Sequence, residues 1–121
     1  FDLKLSGGSK PPMIVEVKSV TLVEGGVARF PDAPTARGRS HLDRLAKMTG
    51  EGYRCAVLFI ALRSDAKRFE PNRKTDPEFA EALINAKSKG VLVKAIRLRV
   101  GRRIVSPMGE IPIKLSVRAL A

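Results

Sequence analysis

The first residues of the chain alternate between apolar and polar side chains, the pattern of a β-strand with two different faces. Residues 1–5 and 13–22 both show this alternation, and the segment 6–12 between them is rich in Gly, Ser and Pro, as turns are. The pattern predicts a β-hairpin. On its second strand Glu16 and Lys18 share one face, and Val15 and Val17 point to the other.

The apolar residues of this hairpin predict its register. If Leu5 lies opposite Met13, then Leu3 faces Val15 and one face of the hairpin becomes wholly apolar. A shift by one residue would destroy this match, because every side chain would move to the opposite face. We therefore expect antiparallel pairs in this register.

The same register places Asp2 directly opposite Glu16. Residues opposed in this way have Cβ atoms about 4.5–5.5 Å apart, and two carboxylates at such a distance repel by roughly 3 kcal/mol at an effective dielectric near 20. A divalent cation with oxygen ligands would offset the repulsion. Lys18, about 6.6 Å along the strand from Glu16, would then lie beside the cation site.

An Asp, a turn and then Glu-x-Lys on the adjacent strand resemble the PD-(D/E)XK nuclease motif. The competing interpretation is a solvated hairpin face on which Lys18 pairs with Glu16 or Asp2. The residues of the hairpin leave both interpretations open.

The rest of the chain predicts helices that alternate with strands. A turn at Gly25-Gly26 precedes a short strand, and Asp76 and Pro77 are placed to begin the second helix. The predicted elements after the hairpin are a strand at 27–30, a helix near 35–49, a strand at 53–62, a polar loop at 63–75, a helix from 76 to before 90, and strands at 91–100 and 111–115. This order predicts an α/β fold with a mixed central β-sheet and helices on both faces.

Length and composition narrow the class of protein. The 121 residues are expected to form a single domain, and the longest apolar stretch, residues 56–62, is too short to span a bilayer. Cys55 is the only cysteine and lies inside an apolar strand. It indicates a reducing compartment, hence a cytoplasmic protein, and argues against disulfides or a thiolate zinc site.

The charge predicts a polyanionic partner. The chain has 23 Lys and Arg against 12 Asp and Glu, a net charge of +11, and nucleic acid is the first candidate, ahead of a membrane surface. Arg37, His41 and Arg44 recur at i, i+4 and i+7 along the first predicted helix, where they could meet phosphate. A second basic group lies in and after strand 91–100: Arg97, Arg99, Arg102 and Arg103.

Each of these two basic groups also has an explanation that involves no contact with nucleic acid. The helix residues are equally explained as surface residues without a role, and the arginine group as a solvated strand edge. Phe69 and Phe79 are predicted to pack in the core rather than to stack on bases.

Several stretches together resemble the sugar fermentation stimulation protein family. They cover most of the chain and are Val15 to Leu22 (VEVKSVTL), Ala28 to Thr35 (ARFPDAPT), Arg37-Gly38-Arg39 with His41, and Phe69-x-Pro71-Asn72 followed by Asp76-Pro77-x-Phe79.

The resemblance implies that residues 1–121 are a C-terminal, PD-(D/E)XK restriction-endonuclease-like domain of a longer protein. The small OB-like N-terminal domain of that family would be absent, which agrees with a chain that starts at Phe1 within a predicted strand. The resemblance also implies DNA binding and a link to the regulation of sugar metabolism, notably of maltose. Matched to the family motif, Asp2 is its aspartate, Glu16 its acidic residue and Lys18 its lysine.

Three functional hypotheses follow. The first is a metal-dependent phosphodiesterase acting on DNA, in which Asp2, Glu16 and the Val17 carbonyl hold Mg²⁺ or Mn²⁺ and Lys18 orients or helps to deprotonate the attacking water. The second is a DNA-binding transcriptional regulator without catalysis. The third is a part of a longer protein whose role is structural and which docks the missing N-terminal domain. A homo-oligomer is compatible with each of the three hypotheses.

Overall fold

The computed structural model describes residues 3–7, 10–100 and 105–115, which form eight strands and two helices. In chain order they are β1 Leu3–Gly7, β2 Lys10–Val20, β3 Leu22–Glu24, β4 Val27–Phe30, α1 Ala36–Gly50, β5 Arg54–Ala61, β6 Arg68–Pro71, α2 Pro77–Ser88, β7 Leu92–Val100 and β8 Val105–Glu110. The main sheet has the order β1-β2-β5-β7-β8, with three parallel central strands and an antiparallel strand at each edge.

The predicted register of the first hairpin is confirmed, because Leu3 pairs with Val15 and Leu5 with Met13. The predicted contact between Asp2 and Glu16 lies outside the described residues. The second strand differs from its prediction at both ends. It begins at Lys10, inside the predicted turn, and pairing ends at Val20 because the chain then leaves the main sheet to form β3.

A second, three-stranded sheet has the order β3-β4-β6. Its hairpin turns at Gly25 and Gly26, whose φ angles of 57° and 82° suit glycine in a tight turn. The third strand, β6, lies where the sequence predicted only a polar loop. It was missed because it is only four residues long and depends on parallel pairing with β4, a distant segment.

The prediction of a final strand at 111–115 is also wrong. The strand lies earlier, as β8, and segment 111–115 contributes only an isolated bridge between Ile113 and Phe69. Pro107 and Gly109 disfavour a strand prediction in the β8 segment. Pro112 has no N–H to donate to a ladder, although its carbonyl accepts a hydrogen bond from the Phe69 N–H.

Both helices lie on one face of the main sheet, so the prediction of helices on both faces is wrong. The connections from β2 to β5 and from β5 to β7 step in the same direction across the sheet, and crossovers of one hand then place their helices on one side. The two helices accordingly pack against each other. In the described part of the chain, neither helix is long and apolar enough to span a membrane.

The centre of the core is a cluster of four aromatic rings. Phe59 on β5 stacks on Phe69 of β6 with ring centroids 4.1 Å apart. Its ring is tilted against that of Phe30 at 5.7 Å and makes an edge contact with that of Phe79 at 6.4 Å. Phe69 and Phe79 are completely buried, which confirms their predicted place in the core. The cluster joins the main sheet, the second sheet and α2 into one unit.

We expect Phe59→Ala to lower the free energy of unfolding by about 3–5 kcal/mol, because it removes the ring that contacts the other three. Tyr53→Ala is the matched control, since 49% of Tyr53 is exposed and its loss should cost less than about 1 kcal/mol. Urea denaturation of both variants measures the difference. Equal costs would show that the aromatic cluster is not the centre of the core.

Candidate functional site

The candidate site begins with a buried carboxylate on β2. Glu16 is only 5% exposed, and it shares the strand face of Ile14 and Val20, both members of the hydrophobic core. Lys18 lies on the same face, two residues nearer the carboxyl end of the strand. That face is the one covered by the helices, so Glu16 and Lys18 lie between β2 and α1 rather than on a solvated surface.

Four polar side chains meet here, and we call them the Glu16 cluster: Glu16, Lys18, His41 and Arg37. The Lys18 Nζ lies 3.1 Å from His41 Nδ1 and 3.6 Å from Glu16 Oε2. His41 Nδ1 is 3.6 Å from Glu16 Oε1, and Arg37 Nε is 3.5 Å from His41 Nε2. The competing interpretation of a solvated face is therefore wrong for Glu16, although its ion pair with Lys18 is present.

The electrostatics of the cluster favour a neutral His41. Burial lowers the pKa of His41 most, and the positive charge of Lys18 lowers it further; Glu16 acts in the opposite direction, and Arg37 and Arg44 add to the lowering. A neutral imidazole accepts at only one nitrogen. Both ring nitrogens lie beside a donor, because the Lys18 ammonium is 3.1 Å from Nδ1 and the Arg37 Nε–H is 3.5 Å from Nε2. The shorter contact favours Nδ1 as the acceptor, and the longer contact with Arg37 is then not a hydrogen bond.

The position of His41 depends on how α1 begins. Thr35 is the N-cap, and its Oγ1 accepts a hydrogen bond from the Gly38 N–H at 2.9 Å. Position 38 needs glycine, because a Cβ there would lie 2.8 Å from the Thr35 methyl group. His41 follows one turn later and faces β2.

A single buried carboxylate holds the starts of both helices. Asp76 Oδ1 accepts from the Phe79 N–H at 2.9 Å, which confirms the predicted cap of α2. Its Oδ2 accepts from the Thr35 N–H at 2.8 Å, a bond that sequence reasoning missed because it joins residues 41 positions apart. Asn72 supports the same segment, since its side-chain amide donates to the Pro31 carbonyl at 2.9 Å.

The predicted nucleic-acid contacts separate into those near the cluster and those away from it. Arg37 and His41 belong to it, and Arg44 lies close enough to affect the pKa of His41. Arg97 is two strands away, with its Cα about 12 Å from that of Lys18 by strand spacing and rise.

The second basic group is therefore not part of the Glu16 cluster. The Arg97 guanidinium donates to the carbonyls of Ser64 and Ala66, both at 3.1 Å, and so holds the loop after β5. Arg99 is exposed further along the same strand, and Arg102 and Arg103 lie outside the described residues.

The Glu16 carboxylate and the Val17 carbonyl supply oxygen atoms, the type of ligand that hard divalent cations prefer. Within residues 3–7, 10–100 and 105–115, no three His, Cys, Asp or Glu side chains are grouped so that they could hold a metal ion. The carboxylate of Glu16 and the backbone of Val17 are the described candidates, and the second predicted carboxylate, Asp2, lies outside this part of the chain.

Residues 1–103 match the family model described as the sugar fermentation stimulation protein RE domain. The chain belongs to this family. It is 47% identical over 115 residues to the sugar fermentation stimulation protein homolog of Desulforamulus reducens and 45% identical over 115 residues to that of Pyrobaculum islandicum. These matches cover 95% of this chain and 48% and 50% of the relatives, so the chain spans about half the length of the curated relatives that it matches.

The fold is similar to that of SfsA from Pyrococcus furiosus, solved in complex with Ca²⁺. The TM-score is 0.84 at 34% sequence identity, and the match covers 88% of this chain and 46% of the Pyrococcus chain. This similarity confirms the predicted mixed α/β, nuclease-like fold.

We expect Asp76→Ala to lower the free energy of unfolding by about 2–4 kcal/mol, because it removes a helix cap and leaves the partly buried Thr35 N–H without its acceptor. Asp43→Ala, at an exposed position of α1, should change the stability by less than about 0.5 kcal/mol. Chemical denaturation compares the two. A similar effect of both substitutions would contradict the proposed role of Asp76.

Proposed function

We propose that this chain is a nuclease-like domain that binds DNA and hydrolyses its phosphodiester bonds with the help of a divalent cation. The observation that carries the proposal is the buried Glu16 carboxylate, which lies beside Lys18 on the helix-covered face of the sheet. Burial of a charged carboxylate costs several kcal/mol unless it is compensated. Such an arrangement is typical of sites where the charge has a chemical task.

The cation would be held by Glu16, the Val17 carbonyl and Asp2, and Mg²⁺ or Mn²⁺ is the expected ion. The Ca²⁺ complex of the Pyrococcus protein supports a divalent cation in this fold. A bound divalent cation stabilises negative charge on a phosphate and lowers the pKa of water. A carboxylate with little access to solvent suits this use, because fewer waters compete for its oxygens.

The remaining residues of the Glu16 cluster have separate tasks in this proposal. Lys18 orients the attacking water or helps its deprotonation through the positive charge of the ammonium group, which lies 3.6 Å from the Glu16 carboxylate and leaves the proton to solvent. Arg37 and Arg44, on the adjacent helix, contact the phosphates that flank the scissile bond. These cationic side chains would also hold the strand in place for attack.

DNA is the proposed substrate because the chain carries a net charge of +11 and part of that charge surrounds the candidate site. Family membership supports a link to sugar metabolism. We propose that this domain is linked to sugar metabolism, and to maltose metabolism in particular, through its binding of DNA. The other half of the longer relatives is a proposed docking partner of this domain.

We expect the chain to nick supercoiled plasmid in Mg²⁺ or Mn²⁺, and Lys18→Ala to slow nicking by about 100-fold or more, as loss of a group that assists proton transfer does. Lys94→Ala is the matched control, because it removes the same charge from an exposed lysine that pairs with Glu110 on the opposite face of the sheet. Agarose gels measure both rates. Equal nicking by the wild-type chain and Lys18→Ala would contradict this role of Lys18.

A DNA-binding transcriptional regulator without catalysis is the second candidate. It is favoured by one specific observation, the ion pair of Lys18 with Glu16, which can serve structure alone. Under this candidate the basic surface still binds DNA, and Lys18→Ala leaves the affinity for DNA nearly unchanged. Absence of nicking together with retained DNA binding would select it.

Both candidates predict that DNA binding depends on Arg37. If four phosphates are contacted, the affinity should fall about 100-fold between 50 and 200 mM salt, and Arg37→Ala should reduce the slope of log K against log salt by about 0.9. Fluorescence anisotropy with a labelled duplex measures the slope, with Lys94→Ala as the charge-matched control. An unchanged slope in Arg37→Ala would remove this arginine from the DNA contact.

A further inference from the structure

The nearest partner of the Lys18 ammonium is an imidazole and not a carboxylate. Its Nζ lies 3.1 Å from His41 Nδ1, within hydrogen-bonding distance. Its distance to Glu16 Oε2 is 3.6 Å, too long for a hydrogen bond although close enough for an ion pair. An ammonium beside a carboxylate ordinarily closes to about 2.7–2.9 Å. Something therefore holds Lys18 back from Glu16.

His41 is built to do this because it is the more rigid of the two partners. It lies on a 15-residue helix whose start is fixed by Thr35 and Asp76. Lys18 has a flexible four-carbon side chain, so its ammonium group can adjust to the position of its acceptor. An ammonium group only donates hydrogen bonds, so the 3.1 Å contact makes the His41 Nδ1 the acceptor for Lys18.

We propose that His41 is a positioning residue that keeps the Lys18 ammonium off Glu16, so that the carboxylate remains open to a divalent cation. The inference rests on the cation site of the proposed function. Without the imidazole, Lys18 would close onto Glu16 and compete with the cation for the same oxygens. Residues that orient the immediate ligands of a metal ion affect its affinity in this indirect way.

A different role for His41 makes a different prediction. Its Nδ1 is 3.6 Å from Glu16 Oε1, so the imidazole could itself be a ligand of the cation. Hard cations such as Ca²⁺ prefer oxygen, which argues against this role. The two roles separate once Lys18 is removed, because a positioning residue is then dispensable and a ligand is not.

Calorimetric titration of the 121-residue chain with Ca²⁺ tests the inference. His41→Leu should weaken binding about 10- to 100-fold. His41→Asn, whose side-chain oxygen takes the place of Nδ1 as the acceptor, should stay within about threefold of the wild-type affinity. In His41→Leu with Lys18→Met, the affinity should return to that of Lys18→Met alone.

Recovery in the double variant also controls for folding, since both proteins carry the same His41→Leu change. The inference is overturned if His41→Leu binds Ca²⁺ as tightly as the wild-type chain. It is equally overturned if the double variant stays as weak as His41→Leu, because His41 is then a ligand or a structural residue. Absence of Ca²⁺ binding by the wild-type chain would instead overturn the cation site itself, and with it this inference.

Discussion

Burial of the Glu16 carboxylate is the constraint on which the candidate site depends. A charge removed from water costs several kcal/mol unless nearby groups compensate it, and Glu16 is 5% exposed among core residues. Its compensation comes from the Lys18 ammonium on the same strand, which His41 on the opposing helix contacts at 3.1 Å. The strand and the helix must therefore keep a fixed distance, because a shift of about 1 Å between them would leave a buried charge without its partners.

The rest of the fold supplies that fixed distance. Thr35 and Asp76 tie the start of α1 to the start of α2, and α2 is held through Phe79 to the aromatic cluster. The cluster includes Phe59 on β5, the strand that pairs directly with β2. A closed path of contacts thus runs from Glu16 through the sheet, the core and both helices back to His41. The distance between Glu16 and His41 is therefore fixed by all of these contacts together and not by the hairpin alone.

Features that depend on neighbouring residues could be predicted from the sequence, and features that depend on distant segments could not. The hairpin register follows from the alternation of apolar residues, and the cap by Asp76 follows from its place before Pro77. Strand β6 and the placement of both helices on one face depend on pairing between segments far apart. Periodicity describes one segment at a time and carries no information on such pairing.

The same distinction explains the site. Glu16 and Lys18 could be predicted as neighbours because strand geometry relates them, whereas His41 was grouped with Arg37 and Arg44 on the basis of helical spacing. The fold turns His41 toward Lys18 and adds positive charge around one buried carboxylate. Through charge repulsion, such surroundings weaken the binding of a divalent cation. In the proposed function a DNA phosphate offsets that repulsion, so that cation and nucleic acid each strengthen the binding of the other.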